Sequence, residues 1–351
     1  MTEAEVRIIA TIKDIARLTG VSAATVSNVL NGKSGAASDA KMQEIFQAAK
    51  ELHYRPNTLA KNLKLRRTKS IGIITEDLTV FHTPEMVDGI EEYCESQGYE
   101  IILDNMRFFK RFGNNFTDTR LHTEFFENAV SALVAQQVEG IVYIGYHCRE
   151  IIQKPAFPHL PFVYCNCYPK EPEYACVYPN DEDAGYQVGK VLTGLGHTNI
   201  GIISGPKGNV NARARLDGFF RALREAGISY DVNTILHGDW GRDSGYENAK
   251  KLLPGDCTAI FALNDAMASG VFFRCQELGL QVGRDISLFG YDNLNIARVH
   301  TPAISSVEPP LHDIGRKCAQ LVLEQIETRS RLTQRVLLPC TLHLRDSVCP
   351  R

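Results

Sequence analysis

The chain has 351 residues, 44% of them hydrophobic and 23% charged, with a formal net charge of -3 at pH 7. That length calls for two or three domains with large buried cores, and no apolar run is long enough for a membrane-spanning helix. None of the ten cysteines form a CxxC pair (Cys165 and Cys167 come nearest), so no zinc site, disulfide framework or other cofactor is expected. Most of these cysteines sit in apolar runs, where a thiol behaves as a small hydrophobe.

The net charge hides a split. Residues 1–70 hold twelve Lys/Arg and six Asp/Glu, whereas the remainder holds 26 and 35. A basic head on an acidic body suits a DNA-binding head whose body repels DNA. Met1–Ala10 carries three charges and no apolar core, so no secretory signal is expected and a cytoplasmic, nucleoid-associated protein is.

From Thr11 the chain reads as helices. Ile12, Ile15, Ala16 and Thr19 recur at helical spacing, with Thr11 as N-cap, Asp14 in the first turn and Gly20 as the stop. Ser22 caps a second short helix whose Val26, Val29 and Leu30 face inward. Two short helices around a glycine turn form a helix-turn-helix or an ordinary helical hairpin. In the first reading, Ala23, Ala24, Thr25, Asn28 and Asn31 face base edges in the major groove, where Asn28 suits adenine and the small residues suit thymine methyls. Ser22, Ser27 and the helix N-terminus suit phosphates. A third helix runs over Ser38–Leu52 through Met42, Ile45, Phe46, Ala49 and Leu52.

The stretches TIKDIARLTGVSAATVSNVLNG, AAKELHYRPNTLAKNLK and KSIGII together resemble the lactose-repressor (LacI/GalR) family of transcriptional regulators. The resemblance is ordered and continues along the chain. It implies a hinge helix after Tyr54-Arg55-Pro56 that orders on operator DNA in the minor groove. There Leu63 would wedge into a base step, Ala60 would meet its dimer mate, and Asn57, Lys61 and Lys64 would reach bases or phosphates, as would Thr11 in the head. Leu63 is equally legible as a buried helix residue. The domains expected are thus a head over 1–54, a hinge and linker over 55–69 and a body over 70–351.

Within the body, short β-branched runs alternate with ten- to fifteen-residue helices: strands at Ile71–Thr75, Tyr99–Leu103, Gly140–Ile144, Phe162–Cys165, Ile200–Ser204, Ala259–Ala262 and Ile286–Phe289. This implies βαβ units and parallel sheets. Two such blocks meet near Tyr168. The fold class expected is an all-α head plus a periplasmic-binding-protein-like body of two doubly wound parallel-sheet subdomains. The first covers about 70–167 plus 307–328, the second about 169–305 plus 333–351, with crossings near 167–169, 293–306 and 328–333. Between Asn105 and Leu121 the Phe-rich stretch MRFFKRFGNNFTDTR is longer than the family pattern; it reads as a lid, a partner surface or a loop packed on its own aromatics.

Ligands of open α/β sheets bind at the carboxyl ends of strands. The polar and aromatic residues found there include Phe81, His147, Asn166, Asn180, Arg215, Trp240, Asn264 and Asp292. The resemblance assigns Asn264, Arg215 and Asp292 to polar atoms of an effector, Trp240 to stacking on it, and Glu308 to a further polar contact. Asn166 falls where a sugar-responsive member has aspartate. Asp292 reads equally as a turn residue and Trp240 as core. The function expected is a homodimeric regulator, a repressor in the first instance, that reads a pseudo-palindromic double-stranded operator under control of a small effector. A sugar is the first candidate; a purine, or a protein corepressor such as a phosphocarrier, is the alternative. No enzyme is expected, because P-loop, GxSxG and HExxH motifs are absent and His147-Cys148, being adjacent, do not face each other.

Overall fold

A computed structural model describes residues 10–54, 67–113, 119–170, 172–230 and 235–351. The chain divides into two compact units, Met1–Thr68 and Lys69–Arg351.

The head packs three helices: α1 (Ile12–Thr19), α2 (Ala23–Leu30) and α3 (Asp39–Glu51). The Asp14 carboxylate accepts from both the backbone N–H (2.9 Å) and the hydroxyl (2.6 Å) of Thr11, which fixes the start of α1. Gly20, at φ 65°, ends it. Ile15, Val26, Val29, Ile45 and Ala48 form the core. Phe46, expected inside, is 52% exposed: Ile45, Ala48, Ala49 and Leu52 already complete the inward stripe, and Phe46 stands about 100° off it.

In the body, strands β1 (Ser70–Thr75), β2 (Glu100–Asn105), β3 (Gly140–Ile144), β5 (Phe162–Cys165), β7 (Ala175–Pro179) and β13 (Arg335–Leu338) form one parallel sheet in the order β13-β7-β5-β3-β1-β2. Its side chains alternate between two cores. Ile71, Ile73, Val142, Val163 and Val177 face α4 (Thr83–Ser96) and α12 (Leu311–Thr328); Ile74, Ile141, Tyr143, Phe162 and Tyr164 face α6 (Thr119–Ala135). Short α5 (Phe108–Phe112) follows β2, and strands β4 (Glu150–Ile151) and β6 (Tyr168–Pro169) pair separately.

The second parallel sheet is β11 (Ser287–Phe289), β10 (Ala259–Ala262), β8 (Ile200–Ser204) and β9 (Ile235–His237), in that order. Its core holds α7 (Asp181–Gly194), α8 (Val210–Glu225), α9 (Arg242–Leu252) and α10 (Asp265–Glu277). Short α11 (Asn295–Val299) precedes β12 (Ser306–Glu308), which pairs antiparallel with β14 (Thr341–His343).

The pairing moves the expected crossings. Val163 lies opposite Ala175, and Arg335 opposite Cys176, so β7 and β13 belong to the first sheet. The chain therefore crosses after Pro179, between Glu308 and Leu311, and after Leu338. The strand that moves the first crossing, β7, is only five residues long and is absent from the expected strands. Among the described residues no helix is long and apolar enough to cross a membrane.

Candidate functional site

The ends of both sheets enclose a cleft of about 740 Å³, within the size range of small-molecule sites. The first sheet contributes Phe81, His82, Phe109, Tyr146, His147, Cys148 and Asn166; the second contributes Asn209, Asn211, Arg215, Asp239, Trp240, Asn264 and Asp292.

The first wall is built from the segments that follow β1, β2 and β3, and these are tied together. Glu76, fully buried at the end of β1, takes a bidentate fork from Arg149 (2.8 and 2.5 Å), the N–H of Tyr146 (2.6 Å) and the hydroxyl of Tyr143. Burial would raise the pKa of Glu76, but Arg149 and these donors reverse the balance and hold it below the usual carboxylate range. Asp77 accepts the N–H groups of Thr79 and Phe109, each at 2.9 Å. His82 donates Nε2–H to the Tyr146 carbonyl. Burial pushes His82 and His147 down to about 4, so both rings are neutral near pH 7.

In the second wall, Trp240 lies over the backbone at the end of β8. A Cβ placed on Gly205 would fall 2.1 Å from its ring, so only glycine leaves room. Trp240 sits at φ 72°, a region L-residues rarely adopt. Asn264 holds it there by donating Nδ2–H to the Trp240 carbonyl (2.9 Å), while its Oδ1 caps α10 at Met267. Arg215 is committed inward. Its Nε donates to Asp181 (2.9 Å), its Nη1 donates to the Leu263 carbonyl (2.6 Å), and its guanidinium stacks 3.4 Å from the Tyr291 ring centre. Asp181 also accepts from Tyr291 (2.6 Å) and from Asn211 Nδ2 (2.6 Å). The arginine fork thus opposes Asp181 rather than Asp292. Burial raises the Asp292 carboxyl to about 8 despite the nearby Arg215. Asn211 Oδ1 and His147 Nδ1 are buried without a hydrogen-bond partner, two polar atoms available to a ligand.

Of the nine expected effector residues, Phe81, His147, Asn166, Arg215, Trp240, Asn264 and Asp292 line the cleft. Asn180 and Glu308 are placed elsewhere. The Asn180 side chain caps α7 by accepting from Asp183 (3.1 Å), and Glu308 pairs with His343 across the β12–β14 ribbon; neither is among the lining residues. Both sit at strand or crossing ends, where helix capping and ligand contact call for the same residue types. Sequence reasoning missed Phe109, Tyr146, Asn209 and Asn211. The Asn-x-Asn of Asn209-Val210-Asn211 at the start of a helix was the available signal, since Asn209 caps α8 and leaves Asn211 in its first turn.

In the head, Ser22, Ala23, Ala24 and Asn31 are exposed and Thr25, Ser27 and Asn28 half-buried. The Ser22 hydroxyl accepts the Thr25 N–H (3.0 Å), and Asn31 folds back onto the Ser27 carbonyl (2.7 Å). Asn28 makes no such commitment in the described contacts. Asn57, Ala60, Lys61, Leu63 and Lys64 lie outside the described residues.

Residues 11–57 match the family described as bacterial regulatory proteins, lacI family, and residues 190–348 match a periplasmic binding protein-like domain. The chain is 32% identical over 345 residues to the HTH-type transcriptional repressor PurR of Vibrio vulnificus, covering 97% of this chain and 98% of that one. Against the PurR of Pasteurella multocida it is again 32% identical, over 349 residues, with 97% and 99% covered. A Lac repressor bound to ONPG in the repressed state superposes with a TM-score of 0.80 at 26% identity, over 97% of this chain and 100% of that one. A CelR–cellobiose complex does so with a TM-score of 0.64 at 26% identity, over 96% and 99%.

Proposed function

The chain belongs to the LacI family of bacterial regulatory proteins, and from that premise we propose that it is a homodimeric transcriptional repressor whose operator affinity is set by an uncharged purine base in the cleft. The observation that carries the uncharged base is the charge state of the lining. Among the described lining residues Arg215 is the one fixed cation, and it is spent on Asp181; His82 and His147 are neutral. A phosphate would enter beside the Asp239 carboxylate with no free cation to receive it, at a cost in desolvation. Flat aromatic surface at Phe81, Tyr146 and Trp240 suits a planar ring, and the purine repressors resemble this chain over nearly its whole length.

The head would read one half-site with Ala23, Ala24, Thr25 and Asn28, and its dimer mate the other. Effector and operator would be reciprocally coupled, because each binds the two arrangements of the body unequally. A sugar is the second reading, favoured by the likeness to the CelR–cellobiose complex and by the single tryptophan face.

Trp240 is the only tryptophan, so intrinsic fluorescence reports on the cleft itself. Titration with hypoxanthine, guanine, adenine, glucose and galactose is expected to give a saturable change with a base. The same base should then alter affinity for DNA selected by the protein from a random-sequence pool. Saturation by a sugar with no response to any base would replace the purine reading with the sugar one.

A further inference from the structure

We propose that Phe109 is a specificity-determining residue of the cleft, contributed by the Phe-rich stretch after β2. The inference rests on the reading that the cleft holds a flat base. Phe109 belongs to the Phe-rich stretch after β2, on the short helix α5.

The stretch is anchored at several points. Met106 N–H donates to the Thr75 carbonyl and Phe108 N–H to the Glu76 carbonyl, both at 2.9 Å. Phe108 is fully buried, edge-on to Phe112 with ring centres 5.3 Å apart, and 4.4 Å from the His122 ring. Arg111 donates to the Met106 carbonyl (2.9 Å) and stacks 4.4 Å from the Phe125 ring centre. Consecutive helical residues point about 100° apart. With Phe108 turned into the core, Phe109 is turned to the cleft, and its backbone N–H is clamped on Asp77.

The Phe109 ring meets Tyr146 edge-on, with centres 5.0 Å apart and planes at 88°. The Tyr146 backbone N–H is itself held by Glu76. Two rings at right angles make a preorganised aromatic corner in the wall opposite the one that carries Trp240. Such a corner favours a planar ring, which meets one aromatic edge and one face, over a puckered polyol. It gives up less entropy on binding than two free side chains would, because both backbones are anchored and the rings rest on each other.

The test follows Trp240 fluorescence of the full chain, wild type against Phe109→Ala and Phe109→Leu, titrated with hypoxanthine, guanine, adenine and galactose. Phe109→Ala is expected to weaken binding of the preferred base about tenfold and to narrow its preference over galactose, with Phe109→Leu between the two. If Phe109→Ala does not fold, Phe109→Leu decides, with about threefold weakening expected. Unchanged affinity and unchanged order of preference in a folded variant would overturn the assignment while leaving the purine reading intact. If the wild type binds galactose and no base, the purine reading falls by itself. Phe109 is then judged on galactose, where about tenfold weakening keeps it as a cleft wall and unchanged affinity removes it. A wild type that binds none of the four overturns both.

Discussion

At the scale of single residues, the cleft depends on side chains that touch no ligand. Trp240 is held in a left-handed backbone conformation by Asn264 and rests on Gly205, where a methyl group would meet its ring at 2.1, 2.3 and 2.5 Å. The Asn264 bond fixes the Trp240 backbone, so relief falls on the side-chain torsions of the indole. Gly205→Ala is therefore expected to displace the indole, shift its emission maximum and weaken effector binding about tenfold or more, whichever effector the titration identifies. An unshifted spectrum would mean that the ring has another resting place. Opposite it, the buried Glu76–Arg149 pair fixes the turn that carries Tyr146 and His147.

At the scale of elements, the two halves of the body are assembled by helices in backbone contact. A Cβ on Gly185 of α7 would lie 1.9 Å from the Arg215 carbonyl of α8, and one on Gly218 of α8 would lie 1.8 Å from the Glu182 carbonyl of α7. The same reciprocal approach joins α4 to α12 through Gly89 and Gly315. The α7–α8 contact also sets the site, because Asp181 begins α7 and Arg215 lies on α8. Gly218→Ala is expected to force these helices apart at a cost of about 1–3 kcal/mol or more, lowering the thermal midpoint and loosening the Asp181–Arg215 bond. Thermal unfolding followed by circular dichroism checks the first effect. A midpoint equal to wild type would mean that the helices slide apart freely.

At the scale of the whole molecule, pH acts through groups of opposite sign. His82 and His147 titrate near 4 in the folded chain, below the ordinary value of 6.5, so the stability they contribute is lost as pH falls from about 6.5 toward 4. Asp292 and Asp265 titrate near 8 and 7, above the ordinary 3.8, because burial disfavours their charge. Their contribution is present below 3.8 and is lost as pH rises through 7 and 8. The two pairs oppose each other between 4 and 6.5, and only the aspartates act above that. Stability is expected to fall between pH 6.5 and 8. Asp292→Asn should remove up to about 2 kcal/mol of that fall, read from urea midpoints at the two pH values. An equally steep fall in the variant would place the titration elsewhere.

The signals legible before the fold is known are local. The caps, apolar spacing and stop at Gly20 define the head helices, and β-branched runs between amphipathic stretches define most strands of both sheets, because these signals act within a few residues of one another. Phe81, His147, Asn166, Arg215, Trp240, Asn264 and Asp292 were legible as cleft residues for the same reason: each stands just beyond a strand or in the helix after it. Only the tertiary structure decided which of them point into the cleft with a free polar atom. Arg215 and Asn264 line it but spend their hydrogen bonds on Asp181, Leu263 and Trp240, while Asn180 and Glu308 turn to a helix cap and to His343. Phe109 and Asn211 became visible only there as well. A side chain's role at a strand end depends on the order of strands in the sheet and, for Arg215, Asn264 and Glu308, on partners more than twenty residues away, and neither is encoded in local spacing.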